Sequence, residues 1–465
     1  MLASGLLLSI GLPLLAGLPW LLAAQSQRAA GGWPLSIAYG YVLGLLITIA
    51  GMRVLHFAHL PTSLLTAAFL PAIAGAVGWW RIRTALVLAR ADIREADATW
   101  RAMNRATRVV FVAALGLIAV RLVTLGLEII LQPIFPWEAV SAVAAKARVW
   151  YALGMMAPFV PAAAWLDGLG NFTDAEPAAF ALPSLLLVWT AHAIGQWHEG
   201  AVGMPWWMLG ASMALALYGH LRRAGGGAVF SLCAAYLFLS LPLVDVHIAL
   251  AGAPQWVAAT GVGLAGCAAL RWLEAPSRDL VYCFMIGTAL AVLSLASTWW
   301  WFAIFAVAAA MRHWPGLTRR AAVGIPLMAI LGLLALMQTP LKIAGVTMQL
   351  QVAGRWGETI ESLFLLNNWH LLYGAALLVA VTGGRHLLSA FWLARTWTIA
   401  MGFGLVLVWG TLMLPGFWYG GQRDLSFAAL QFAPILLLWI ATAAHAIAHR
   451  HQSQVATTPQ SSPPR

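Results

Sequence analysis

The sequence predicts an all-α fold, a polytopic transmembrane helical bundle of about 13 spans, and three observations carry that reading. Of 465 residues, 62% are hydrophobic and only 9% are charged. That composition, with a mean hydropathy of +0.83, lies far from any soluble domain. The apolar residues gather into runs of span length. Between them the cations collect in short loops, as the inside-facing ends of membrane helices do.

In order, apolar runs long enough to cross are read at about 3–24, 35–54, 62–80 and 108–130. Residues 81–107 carry Arg81, Arg83, Arg101 and Arg105 with Asp92, Glu95 and Asp97 among them. This is the strongest positive cluster, and it reads as a cytoplasmic amphipathic segment. The outer loop 131–180 follows. Further candidate spans are 181–197, 204–219, 228–249, 255–271, 280–296, 298–311, 320–338, 369–383, 396–414 and 428–448. Their basic flanks fall inside, and loops 338–368 and 415–427 fall outside. One conflict stands between outer loop 131–180 and inner loop 220–223, because two apolar segments separate them where an odd number of crossings is required. Either one segment is re-entrant or interfacial, or a further short crossing lies near 152–166.

Residues 1–451 thus form a single transmembrane domain, and the Ser-, Gln- and Pro-rich tail 452–465 is expected to be disordered. The N-terminus lacks a basic lead and a small-x-small cleavage site, so it is read as a retained first span. Cys233, Cys267 and Cys283 lie in apolar runs without CxxC spacing, as core cysteines do. The net charge of +11, spread over short loops, suits anionic headgroups rather than nucleic acid. There is no Walker A sequence, GxSxG or HExxH. Gly225-Gly226-Gly227 is a bare loop tripeptide.

The stretch from Ile134 to Tyr151 is the first place where the chain leaves hydrocarbon carrying both signs of charge. Pro136 suits a first helical turn, and Glu138 suits the positive end of that helix's dipole. At α-helical spacing Glu138 and Lys146 share one face, while Trp137, Arg148 and Tyr151 share another. Such a helix would lie along the membrane surface, either as an ordinary interfacial helix or with an acid held over an aqueous cleft. Asp245 and His247 interrupt an apolar span beside Pro242. Asp245 is either wet or paired near the outer end of its helix, or set at the floor of an outward cavity. Arg355, Glu358 and Glu361 form a charged ridge at helical spacing, which reads as a solvated face or a cavity wall. It stands just before Asn367-Asn368-Trp369-His370. In the last outer loop Arg423 is placed to grip a phosphate or to pair with Asp424.

Two blocks carry a resemblance. Phe135-Pro136-Trp137-Glu138-Ala139-Val140 with Lys146-Ala147-Arg148-Val149-Trp150, and Asn368-Trp369-His370-Leu371-Leu372-Tyr373, resemble a bacterial branch of the GT-C superfamily of integral-membrane glycosyltransferases. Those enzymes are related to protein O-mannosyltransferases and aminoarabinose transferases. The resemblance implies transfer of a sugar from a polyprenyl-phosphate donor to a cell-envelope acceptor on the outer face of the cytoplasmic membrane. The acceptor would be a glycan, lipid or protein. Glu138 would be the general base, with cations of the later loops on the phosphate. No cofactor is assigned, and a divalent cation is the one group left open. The chain departs from the branch pattern at four places. Glu138 replaces Asp, Val140 replaces Trp, Gln255 stands where an acid is expected, and Ser426-Phe427 stand where an Asn-Arg pair is expected. A polysaccharide polymerase or ligase, a lipid-carrier flippase and a non-catalytic relative are the alternative readings. In the last, Glu138 would turn to the headgroups or be locked by Lys146.

Overall fold

The computed structural model describes residues 2–24, 31–82, 97–314, 320, 324–325, 327–328, 341–343, 346–348, 351–352, 356–413 and 425–457. The first four long helices are α1 (Leu2–Ala24), α2 (Gly32–Phe57), α3 (Leu64–Arg81) and α4 (Arg105–Leu131). A connecting region then holds α5 (Ala145–Leu153), α6 (Ala162–Leu166) and α7 (Ala181–Ile194). The central group comprises α8 (Met204–Arg223), α9 (Ala228–Leu239), α10 (Pro242–Ala249), α11 (Pro254–Glu274), α12 (Arg278–Ser294) and α13 (Trp299–His313). Last come α14 (Trp356–Ile360), α15 (Leu372–Leu387), α16 (Ala390–Thr411) and α17 (Leu425–Thr457). Two short antiparallel ladders, 341–343 with 346–348 and 351–352 with 412–413, leave the class helical.

Among the described residues eight helices are long and apolar enough to cross a membrane, or nine if α9 and α10, bent by 63°, are one span. The expected total of about 13 spans also counts α12, α13 and α15, which join the same two ends but are shorter than 18 residues. The candidate span 320–338 and the amphipathic stretch 83–96 lie largely or wholly outside the described residues. The tail expectation needs correcting at its start, because α17 runs on to Thr457. After Arg450 the chain has no helix breaker before Pro459.

Small residues let the first helices touch backbone to backbone. A Cβ at Gly44 would lie 1.6 Å from the Pro13 carbonyl oxygen, and one at Gly17 would lie 2.0 Å from that of Gly40. Such close approach gains dispersion contacts where lipid supplies no hydrophobic drive. Tryptophan does the complementary work of tying helices together. Indole N–H groups donate across helices from Trp20 to Ala74 O, Trp79 to Leu15 O, Trp189 to Ser9 O and Trp207 to Leu122 O. Each closes a helix contact, and the one from Trp189 satisfies a fully buried donor. Exposed tryptophans sit at helix ends instead: Trp80, Trp100 and Trp314 at one end of the bundle, Trp137, Trp165 and Trp299 at the other. Two such belts match the two interfaces of a bilayer.

The bundle has a basic and an acidic end. Arg81, Arg105, Arg222, Arg223, Arg278 and Arg312 lie at the first, whereas Glu138, Asp167, Asp174, Glu176 and Glu199 lie at the second. The crossing conflict resolves at α7. Its Ser184 hydroxyl donates to Val143 O at 3.0 Å, while Ile194 at its other end packs on Gly5 near the start of α1. Both ends of α7 therefore lie at the acidic end, and this 14-residue helix does not cross. The crossing is made by α8. It begins where Gly203 meets Ile129 and Ala251, and it ends where Gly219 meets Gly31 and Leu35.

Candidate functional site

The site begins with the turn after α4. Pro133 and Pro136 hold the chain extended, and a helix then starts at Trp137. Residues Ala139–Ala144 form a π turn before α5 takes over. The wider i→i+5 turn makes the helix lag by part of a revolution. This corrects the expected faces: Glu138 is exposed, while Lys146 is carried into the core with Ala142, Val143, Ala147 and Trp150. Trp137 is 83% exposed and Phe135 is exposed as well, an aromatic pair of the kind that suits a membrane interface.

Lys146 is fully engaged within the protein. Its ammonium pairs with Asp174 at 2.5 Å and donates to Glu176 O at 2.7 Å and Ala179 O at 2.9 Å. The lysine and aspartate side chains are 1% and 7% exposed. One ion pair and two hydrogen bonds hold the ammonium within the protein, so the residue expected to touch substrate instead pins the segment 174–179 beneath α5. Arg148 points elsewhere. It pairs with Glu199 at 2.5 Å and lies over the Trp197 ring, and Trp197 donates to the other Glu199 oxygen at 2.9 Å.

Glu138 has no cation partner among the described residues. Its carboxylate accepts from the Gln255 side-chain amide at the start of α11. Two residues that depart from the GT-C pattern are thus brought into contact across 117 positions. The structure supports the turn from the other side, because Gly252 (φ +97) lies where a Cβ would be 3.2 Å from that of Ala139. Glu176 lies within electrostatic range of Glu138. Burial first, then the Glu138 and Asp174 charges, raises its carboxyl above the usual range, against the pull of Lys146. The acidic corner so formed is Glu138, Glu176 and Gln255. Beside it Ile134, Phe135 and Pro136 line a water-sized cleft with Leu250 and Ala251.

The block Asn367 to His370 brackets the break in the α9–α10 span. Pro242 cannot donate, and the chain bends at Ser240–Leu241. The His370 Nε2–H donates to the freed Ser240 O at 2.9 Å, and Leu243 N–H donates to Asn368 O at 3.4 Å. His370 Nδ1 lies 3.0 Å from the Asn367 side-chain oxygen. Asn367 and His370 hold positive φ values of 56° and 47° to reach these partners. Asp245, on α10, pairs with Arg121 of α4 at 2.8 Å. This places Asp245 beside the largely uncovered helix α4, in an ion pair rather than free at a cavity floor. His247 returns Nδ1 to Leu243 O at 2.7 Å. Glu358 is exposed on α14. Arg355 and Arg423, expected on the donor phosphate, lie outside the described residues.

Sequence reasoning missed Arg121, although a lone arginine in the apolar run Ala119-Val120-Arg121-Leu122 is itself a signal that a partner waits. Asp174 and Glu199 carried no local signal of their pairing.

No family, no curated protein and no solved structure compared with the chain matches it. What the apolar helices and their two tryptophan belts define is a class: a multi-pass, all-helical membrane protein.

Proposed function

We propose that the protein is a membrane glycosyltransferase that moves a sugar from a polyprenyl-phosphate donor to an envelope acceptor, with Glu138 as general base. The observation that carries this reading is the state of Glu138. It is an exposed carboxylate at the acidic end, oriented by the neutral Gln255 amide and unpaired with any cation among the described residues. An ion-paired carboxylate is a poor base, whereas one held by an amide keeps its lone pairs for a substrate hydroxyl. The non-catalytic reading has Glu138 either turned to the headgroups or locked by Lys146, and the second form is set aside because Lys146 is taken by Asp174.

The basic end faces the cytoplasm by the positive-inside rule, so Glu138 faces outward in a bacterial cytoplasmic membrane. In the reaction Glu138 takes the proton of an acceptor hydroxyl as its oxygen attacks the anomeric carbon. The bond from that carbon to the phosphate oxygen breaks, and polyprenyl phosphate leaves with its electron pair. Arg355 and Arg423 are the cations assigned to the leaving phosphate. Exposed Phe135 and Trp137 flank the acid on the side where a lipid-borne donor arrives.

The test is to reconstitute the protein in liposomes with labelled polyprenyl-phosphate hexoses and pentoses and an envelope extract as acceptor. Label moving from lipid to acceptor is expected from at least one donor. Failure of every donor to be consumed would overturn the assignment.

A further inference from the structure

At the opposite end of the bundle α8, α11, α12, α16 and α17 bury an excess of positive charge. Arg223 pairs with Asp279, both under 10% exposed. Arg271 and Arg395 share one carboxylate oxygen, Glu274 Oε2. Arg271 lies within Coulombic range of Arg223, and Arg395 within range of Arg271. Three buried guanidiniums thus face two carboxylates. Among the described residues no third acid is paired with them.

Other acceptors cover part of the shortfall. Arg271 also donates to Arg223 O at 3.0 Å, and Arg395 donates to the Thr442 hydroxyl at 2.8 Å. Arg312 donates to Leu273 O. The two carbonyls belong to the C-terminal turns of α8 and α11, whose dipoles favour a cation but supply only a fraction of a charge. The Nε–H groups of Arg223, Arg271 and Arg395 are buried without an acceptor. A buried, uncompensated cation is costly, and buried donors left without acceptors add to that cost. An anion with several acceptor oxygens has the charge and the acceptors that these donors call for.

The open side is at Glu274, a quarter exposed, and the exposed Ala275-Pro276 turn. That turn lies at the level of the helix ends, where lipid headgroups are. Guanidinium forks match phosphate oxygens bidentately.

We infer that the basic end holds a phosphate-binding site, built by Arg223, Arg271 and Arg395 around Glu274. The phosphate comes from an anionic lipid headgroup or from solution. The site is independent of the Glu138 chemistry and stands whether or not the protein transfers sugar. Glu274 acts as the internal anion with which the phosphate competes.

The experiment is thermal unfolding of the full chain in three settings. These are phosphatidylglycerol nanodiscs, phosphatidylcholine nanodiscs, and phosphatidylcholine nanodiscs with inorganic phosphate against chloride of equal ionic strength. Protection by phosphatidylglycerol or by phosphate is expected. Protection by the lipid alone assigns the headgroup, and equal protection by inorganic phosphate assigns a soluble source. Glu274→Gln removes the competitor, so the protecting anion should bind about tenfold more tightly. Arg271→Gln should weaken it by at least about tenfold, while Arg105→Gln, an exposed arginine outside the cluster, should change it little. If Arg271→Gln does not fold, the direction of the Glu274→Gln change decides alone. No protection of wild type or Glu274→Gln by either anion overturns the site. So does an equal loss on Arg105→Gln and Arg271→Gln, which would mean diffuse surface attraction.

Discussion

Replacing Lys146 by Met keeps most of the length of the side chain and removes its charge. The ammonium has three partners in the protein, Asp174 at 2.5 Å and the carbonyls of Glu176 and Ala179. Without it the Asp174 carboxylate, 7% exposed, is left buried and uncompensated. Breaking one side of such a pair costs about 3–5 kcal/mol. At about 1.4 kcal/mol per tenfold, local opening of the segment 154–180 should rise by roughly 10²- to 10³-fold or more. Limited proteolysis in liposomes reads that opening directly. Lys146→Met should be cut within this segment far faster than wild type. The double variant Lys146→Met with Asp174→Leu should regain most of the protection, because no charge is then stranded. Under the proposed transferase reading it should also keep sugar transfer, since the Lys146 ammonium is occupied within the protein. Wild-type cleavage rates in Lys146→Met would refute the clamp. Lost transfer in a protected double variant would return Lys146 to the substrate site.

Three further outcomes follow from other parts of the chain. Glu176 is raised by burial and by Glu138 and Asp174, so the native state holds its proton to higher pH than the unfolded chain does. Its charge is therefore harmless below the unfolded value of about 4.3 and costs stability increasingly as pH rises to the folded value. Glu176→Gln should raise the melting temperature slightly at neutral pH, with a gain under about 0.5 kcal/mol after solvent screening, and change nothing below pH 4. His370→Ala leaves Ser240 O without its donor and should cost about 1 kcal/mol in thermal unfolding, with faster hydrogen exchange at the α9–α10 bend. Gly44→Val drives a side chain into the Pro13 carbonyl and should destabilise the α1–α2 pair by about 1–3 kcal/mol or more, seen as a lower melting temperature.

The spans were legible where the signal is local. Long apolar runs gave α1 to α4, α8 and α11 within a few residues and the start of α17, and Pro242 announced the kink after Leu239. What escaped was set by long-range contact. Nothing in Lys146-Ala147-Arg148 distinguishes a buried lysine from an exposed arginine two residues on. The π turn before them decides it, and π turns have no sequence period. Gln255 read as a lost acid until it lay against Glu138. The Asn368–His370 block was legible as special, but its visible role is to cap a broken helix, and only the fold supplies that helix. The α7 ambiguity had the same origin, because the apolar run at 181–197, of which 14 residues form the helix, fits either a crossing or a buried helix lying at one end.

The most direct test of Glu138 as base is the transfer rate of Glu138→Gln in liposomes, measured against wild type and Glu176→Gln. Glutamine keeps the size of the side chain and can still meet the Gln255 amide, but it cannot take a proton. The expected result is a loss of about 10²- to 10⁴-fold in Glu138→Gln, with melting temperature unchanged and Glu176→Gln still active. Transfer within a few-fold of wild type in folded Glu138→Gln would contradict the account and leave the acidic corner without a catalytic role.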